Sequence, residues 1–322
     1  MSEHPFAEFL RILGKGRHGS RDLSRDEAYR AMTMILRDEV EPLQLGAFLM
    51  LLRVKDETVD EFVGMLEAAR ASLPEPPGLQ VDLDWPAYAG KRKHLPWFLL
   101  AAKVLAARGV RIVLHTAEVA GRMQVHDLVA MLDLPWAQSW QELPEQLARH
   151  HWACIDLREI HPGLAQIVHM RALLGVRSPM HSLVRLLNPA AASAMLVPIF
   201  HPAYREKHRA VLQALATPCA AVFKGEGGEA ERNPDALLRI SGTRAGQAWE
   251  LESPAMFAQR HEPAGTLDPA HLLRVWKGEQ TDAYGEAAVC GTLAIALYTL
   301  GRVADLPTAQ AEADLWWQQR HH

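Results

Sequence analysis

The sequence predicts an α/β protein that carries a smaller all-helical domain. Amphipathic patterns with two capping boxes favour helices in the first 73 residues. A proline-rich stretch, PEPPG at 74–78, predicts a stiff linker, and beyond it the pattern changes to strand, loop, helix and strand over 81–115. With 322 residues, of which 49% are hydrophobic, the chain is long enough for two domains with separate cores.

The N-terminal helices are predicted from their start signals. Ser24 followed by Glu27, and Thr58 followed by Glu61, each match a capping box, and Pro42 suits the first turn of a helix. The patterns predict four helices, over 5–15, 24–37, 42–54 and 58–73. We expect these helices to serve packing rather than chemistry.

The segment after the linker predicts a βαβ unit. VDLDW at 81–85 alternates as a strand does, 95–108 is an apolar run long enough for a helix, and VRIVLH at 110–115 is rich in β-branched residues. The loop between the first strand and the helix holds Gly90, Lys91, Arg92 and Lys93. Because a helix N-terminus favours an anion, this loop is predicted to hold phosphate through side chains; a solvated basic loop is the alternative.

Composition narrows the class of protein. The net charge is −4, yet 85–117 and 160–205 contain no acidic residue, so a basic groove is compatible with the acidic total. The three cysteines are widely spaced without a CxxC pair, which argues against disulfides and structural zinc and favours a reducing cytoplasm. No apolar run has membrane-spanning length and the N-terminus lacks signal-peptide features, so no membrane partner is expected.

Three segments carry a resemblance to a known family. They are LQLGAFLMLLRVKDET at 43–58, MRALLGVRSPMHSLVRLLNPA at 170–190 and KGEGGEAE at 224–231. With them the sequence resembles the anthranilate phosphoribosyltransferase and pyrimidine nucleoside phosphorylase superfamily. The resemblance implies a phosphoribosyltransferase-like architecture, with a helical domain of 1–73 joined by part of 160–195, an α/β domain of 79–322, and a homodimer formed through the helical parts.

The sequence departs from this family at the substrate motifs. Where active members carry GTGGD, it has AYAGKRK, and the family's KHGN becomes LHTA, which keeps only His115. The metal-binding GLDE becomes GEAE, which keeps only Glu231, and the asparagine of RTxFN becomes His181. Arg171 is kept. The resemblance therefore implies a vestigial substrate site of His115, Arg171 and Glu231, with no catalytic residue and no metal.

This pattern resembles a branch of the superfamily that binds nucleic acid without sequence preference. The implied partner is DNA or RNA, with single strands favoured, and no cofactor is expected. Phosphates would be met by lysine and arginine side chains. The predicted contacts are Gly90, Lys91, Arg92, Lys93, Lys224, Arg177 and Arg185, with Lys15, Arg17 and Arg21 as weaker candidates.

Two other functions stay open at this stage. The first is an active phosphoribosyltransferase with a divergent substrate loop, in which Lys91 and Arg92 replace the glycine loop and Glu231 alone helps a magnesium ion. The second is an interaction protein whose basic loop is incidental. Trp85, Tyr88 and Trp97 flank the loop and would stack on unpaired bases, although for Trp97, in an apolar helix, a place in the core is the favoured interpretation.

Overall fold

A computed structural model describes residues 3–16, 18–75, 78, 80–262 and 267–321. The first four helices follow the predicted pattern: α1 (Ala7–Gly14), α2 (Arg25–Leu36), α3 (Pro42–Lys55) and α4 (Val59–Ala71). Both capping boxes form, because the side chains of Ser24 and Thr58 accept from the backbone N–H three residues on and the glutamates there reach back. The predicted helical domain is therefore confirmed.

The α/β part contains eight strands within the described residues. They are β1 (Leu83–Ala87), β2 (Ile112–Thr116), β3 (Trp136–Ala137), β4 (Trp152–Asp156), β5 (Ala194–Ile199), β6 (Cys219–Lys224), β7 (Leu238–Arg244) and β8 (Gln247–Ser253). They form one sheet in the order β3-β4-β2-β1-β5-β6-β7-β8. The first six run parallel, and β7 and β8 add an antiparallel edge.

The predicted βαβ unit is confirmed. Helix α5 (Phe98–Ala107) connects β1 to β2, and Leu83 pairs with Ile112 in parallel register. The remaining helices are α6 (Val129–Leu132), α7 (Leu143–His150), α8 (Leu157–Ile160), α9 (Pro162–His169), α10 (Arg171–Leu174), α11 (Met180–Leu183), α12 (Tyr204–Ala214), α13 (Pro269–Trp276), α14 (Ala283–Thr299) and α15 (Leu306–Gln318).

Two cores lie on the two faces of the sheet. On one face, Val113 and Val197 pack with the helical domain, whose Phe62 belongs to the same cluster. On the other face, Leu114 and Leu196 pack with α5, α14 and α15. Side chains alternate between the faces along each strand, so both cores are built from the same strands. Among the described residues, no helix is both long and apolar enough to span a bilayer.

Side-chain hydrogen bonds as well as apolar packing connect the helical domain to the α/β part. Arg70 of α4 donates to the carbonyl oxygens of Leu186 and Leu187, at 2.8 and 3.0 Å. Helix α4 also packs closely on α2, where Gly64 lets the backbone of Arg25 approach. These contacts hold the two parts together on either side of a cleft, and the candidate functional site lies in that cleft.

Candidate functional site

The candidate site lies at the carboxyl edge of the central strands. β1 is the switch point of the sheet, since the chain runs from β1 to β2 on one side and β5 pairs with β1 on the other. Ligands of open parallel sheets bind at such a crevice. The loops that meet there follow β1, β2, β5 and β6, and they begin at Tyr88, Ala117, Phe200 and Gly225.

Lys91 is buried rather than exposed. Only 1% of its surface is accessible, and its Nζ lies 2.6 Å from Glu231 Oε1 and also contacts Glu226 Oε2. Burial lowers the pKa of the Lys91 ammonium, but the charges of Glu231 and Glu226 and their hydrogen bonds outweigh burial, so the pKa is raised. The predicted role of Lys91 as a surface contact is therefore wrong, because the cation is already neutralised inside the protein.

The backbone of the same loop is occupied by a second carboxylate. Glu229, which is buried, accepts hydrogen bonds from the N–H groups of Ala89, at 2.8 Å, and Gly90. Gly90 adopts φ +66°, a left-handed conformation that glycine allows and that aims these two N–H groups together. The loop thus binds an anion as expected, but the anion is the chain's own carboxylate.

The N-terminus of α5 is also filled from within. Glu231 Oε2 accepts a 2.8 Å hydrogen bond from the backbone N–H of Phe98, the first residue of the helix. A carboxylate at this position is stabilised by the free N–H groups and by the helix dipole. The expectation that Arg92 and Lys93 present this helix end to an external phosphate is not met, since Glu231 takes the place.

Arginine side chains form the positive surface of the cleft. Arg122, Arg171 and Arg185 lie close to Arg177. Burial, followed by the charges of Arg185, Arg122 and Arg171, lowers the pKa of Arg177 to about 10. Arg185 is only 6% exposed, and its Nε has no hydrogen-bond partner among the described residues. An unpaired buried guanidinium nitrogen costs free energy unless a ligand satisfies it.

Arg171, Arg177 and Arg185 line a cavity of about 320 Å³ between the helical domain and the sheet. Its wall also holds buried polar groups that lack partners among the described residues: Glu57 Oε2 and both ring nitrogens of His208. Burial raises the pKa of Glu57 to about 7, and burial lowers the pKa of His208 to about 3. At neutral pH the cavity is therefore dominated by guanidinium charge.

A second cavity, of about 300 Å³, adjoins the first. Arg171, Arg177 and His181 line both. The second is also lined by Tyr88, whose hydroxyl lies 2.6 Å from His115 Nδ1, and His115 Nε2 lies 3.3 Å from Asp84 Oδ2. All three side chains of this Asp84–His115–Tyr88 chain are buried, so the tyrosine hydroxyl is held in a fixed orientation at the cavity wall.

The other predicted contacts that the structure describes line neither cavity. Arg92 and Lys93 are exposed, and Lys224 is exposed at the end of β6. Lys15 and Arg21 are exposed in the helical domain, where Arg21 pairs with Glu27, and Arg17 lies outside the described residues. Of the predicted set, Arg171, Arg177 and Arg185 come together, whereas Lys91 and Glu231 are partners in the buried ion pair.

Sequence reasoning missed Arg122, Glu226 and Glu229. Arg122 follows β2 and donates to the carbonyl oxygen of Ala89 at 3.1 Å. The two glutamates belong to the GEGGEAE segment, which on sequence alone resembles only the remains of a metal motif. The sequence contains both a basic KRK run and an acidic GEGGEAE run. Their opposite charges were the signal that could have predicted an ion pair between them.

Comparisons with known proteins give a consistent result. Residues 7–73 match the glycosyl transferase family, helical bundle domain. The chain is 30% identical over 249 residues to an anthranilate phosphoribosyltransferase of Oleidesulfovibrio alaskensis, which covers 76% of this chain and 74% of that protein.

Solved structures share the fold. The anthranilate phosphoribosyltransferase of Thermus thermophilus superposes with a TM-score of 0.79 at 23% identity, covering 98% of each chain. That of Saccharomyces cerevisiae, in complex with PRPP and Mg, gives 0.76 at 16% identity, covering 99% of this chain and 94% of that one. At these identities the structural likeness establishes the fold alone.

The prediction of nucleic-acid binding is wrong. The relative from Oleidesulfovibrio alaskensis and both structural neighbours are anthranilate phosphoribosyltransferases, which favours the enzymatic alternative. The structure is consistent with this correction: Lys91 is buried, and Trp85, Tyr88 and Trp97 are at most 4% exposed, so none of the three aromatics offers a face for stacking on a base.

Proposed function

The chain belongs to the anthranilate phosphoribosyltransferase family, and from this membership we propose that it transfers a phosphoribosyl group from a diphosphate donor to a small acceptor. The donor's diphosphate would be held by arginine side chains instead of by a glycine loop and a metal. The arginine-lined cavity is the observation that carries the proposal.

The charge balance of that cavity supports an anionic ligand. Arg171, Arg177 and Arg185 line the cavity, and the charge of Arg122 acts on Arg177 and Arg185. Glu229 is the carboxylate whose charge acts on Arg122, Arg177 and Arg185. Glu229 is already engaged with the backbone of Ala89 and Gly90. Guanidinium groups bind phosphate oxygens in bidentate fashion, so a diphosphate would relieve the mutual repulsion of the arginines.

The two adjoining cavities suit the two substrates of a transfer reaction. The diphosphate would lie in the arginine-lined cavity, and the acceptor in the neighbouring cavity beside Tyr88. The bond between the anomeric carbon and the diphosphate oxygen breaks, pyrophosphate leaves with the electron pair, and the acceptor nitrogen bonds to the anomeric carbon and loses a proton. Arginines fixed beside the leaving group stabilise the charge that develops on it.

Transfer can be measured directly. Wild-type protein is incubated with phosphoribosyl pyrophosphate and anthranilate, or with other aromatic amines that carry a carboxylate, while pyrophosphate release and acceptor fluorescence are followed. We expect pyrophosphate to appear in step with acceptor loss. Failure to bind the donor in calorimetric titration, together with no pyrophosphate release for every acceptor, would overturn the proposal.

A matched pair of variants tests whether the arginine-lined cavity is responsible. Arg177→Ala should lower kcat/KM by at least about tenfold, because a charge on the leaving group loses its partner. Arg149→Ala, on the exposed end of α7, should leave kcat/KM unchanged. Equal effects of the two substitutions would contradict a role for the cavity.

The expected cytoplasmic location remains part of this proposal. Cys154, Cys219 and Cys290 are all free thiols in the structure, which supports a reducing compartment.

A further inference from the structure

The buried cluster of Lys91, Glu226 and Glu231 lies where loops after β1 and β6 meet. Lys91 is 1% exposed, Glu226 8% and Glu231 0%. The ammonium contacts one oxygen of each carboxylate, and the second oxygen of Glu231 is held by the N–H of Phe98. The cluster therefore joins three elements: the loop after β1, the loop after β6 and the first turn of α5.

Two neighbouring carboxylates of this kind are ligands that magnesium prefers. A family member from Saccharomyces cerevisiae has been solved in complex with PRPP and Mg. In the present chain the residues do not fit such an ion, because the Lys91 ammonium lies between the two carboxylates and would repel a divalent cation. Among the described residues, no group of three or more histidine, cysteine, aspartate or glutamate side chains could hold a metal ion.

The residues around the cluster also argue against a divalent cation at this position. Lys91 lies on the loop whose backbone N–H groups are bound by Glu229, so an added metal would have to displace the ammonium while the adjoining backbone stays fixed. The loop after β6 also lies beside the side chain of Lys91, since a Cβ added at Gly227 would be in ordinary contact with Lys91 Cδ, at 3.8 Å. A long, flexible side chain buried to this degree loses rotamer freedom, and the two ion pairs offset that cost.

We infer that the Lys91 ammonium is a built-in replacement for the divalent cation, so that the protein binds its phosphate ligand without magnesium. The fixed charge holds Glu226 and Glu231 together and closes the loops after β1 and β6 over the edge of the sheet. The part that concerns the phosphate ligand rests on the proposed function. The part that concerns the metal does not, and it can be tested without any substrate.

Manganese binding, followed by the loss of the electron paramagnetic resonance signal of free Mn²⁺, tests the metal directly. Wild-type protein should leave the signal unchanged. The substitution Lys91→Ala removes the ammonium and opens space between the two carboxylates, so this variant should bind one Mn²⁺ per chain. The double variant Lys91→Ala with Glu231→Gln should lose that binding. The inference would be overturned if the wild type bound one Mn²⁺ and Glu231→Gln abolished that binding. It would also be overturned if the Lys91→Ala variant folded but bound no Mn²⁺.

A second measurement needs only the wild-type protein and covers the case in which Lys91→Ala fails to fold. The Kd for inorganic pyrophosphate is measured by calorimetry with EDTA and then with magnesium. We expect affinity in EDTA at least as high as with magnesium, whereas a Kd about tenfold lower with magnesium would overturn the inference. If pyrophosphate does not bind at all, the proposed function is in doubt, but the manganese result still decides the question of the cation.

Discussion

The carboxylate of Glu229 accepts a 2.8 Å hydrogen bond from the backbone N–H of Ala89, 140 residues away in the chain. Together with the N–H of Gly90, this contact fills the position at which a loop after a parallel strand would bind an external phosphate. The loop therefore has a structural role, because its backbone N–H groups bind a carboxylate of the same chain. A phosphate ligand must find its counter-charges elsewhere, and the arginine-lined cavity next to the loop supplies them.

The charge of Glu229 should weaken anion binding in that cavity. Glu229→Gln keeps an oxygen that can accept from Ala89 and Gly90, but it removes the negative charge that acts on Arg185. We expect pyrophosphate to bind more tightly by about 1 kcal/mol, or roughly fivefold. Calorimetric titration measures this, with Glu250→Gln on exposed β8 as the control. An unchanged or weaker affinity in folded Glu229→Gln would contradict the prediction.

Glu57 should make stability fall as pH rises. Burial raises the pKa of Glu57 to about 7 from an ordinary value of 4.5. Between these values the folded state keeps a proton that the unfolded state has released, so the free energy of unfolding decreases with increasing pH.

The variant Glu57→Gln removes this titration. Relative to wild type, its free energy of unfolding should gain about 3 kcal/mol between pH 4.5 and 8, with most of the change below pH 7. Thermal unfolding of both proteins across this range measures the difference. A difference between the two proteins that does not change with pH would show that Glu57 ionises normally.

Close packing of α2 on α4 should make Gly64 intolerant of a side chain. A Cβ at this position would lie 2.1 Å from the carbonyl oxygen of Arg25, which is backbone and cannot rotate away. Gly64→Ala should therefore cost at least about 2 kcal/mol and lower Tm by several degrees. Gly14→Ala is the control, since its Cβ would make an ordinary 3.4 Å contact with the side chain of Leu51. Similar Tm values for both variants would contradict the packing argument.

The fold was predictable because its signals are local. The capping boxes at Ser24 and Thr58 and the stop at Gly109 lie within a few residues of the elements they delimit. The site was not predictable in the same way. Lys91 pairs with Glu226 and Glu231 across 135 and 140 residues, and nothing in the KRK run itself distinguishes a buried lysine from a solvated one. Only the resemblance to a family pointed to Arg171, and only the fold brings it beside Arg177 and Arg185.

The expected homodimer can be tied to one helix face. Leu43 and Val54 of α3 are 89% and 85% exposed, and eleven residues of helix place them on the same side. Ala47, also exposed, and Met50, half-buried, lie between them on that side. Exposed apolar stripes of this kind on a helical domain mark association surfaces, and a two-fold axis would let the stripe pack on its copy.

Replacing Leu43 and Val54 together by aspartate should therefore convert the protein from a dimer to a monomer. Two desolvated carboxylates facing their copies across the axis would oppose association, whereas the folded monomer loses no buried contact. Sedimentation velocity measures the outcome, with a monomer near 35.9 kDa. Leu315→Asp, at a 48% exposed position of α15, should leave the dimer intact. A wild-type protein that sediments only as a monomer, or a double variant that remains dimeric, would show that this face of α3 is not the interface.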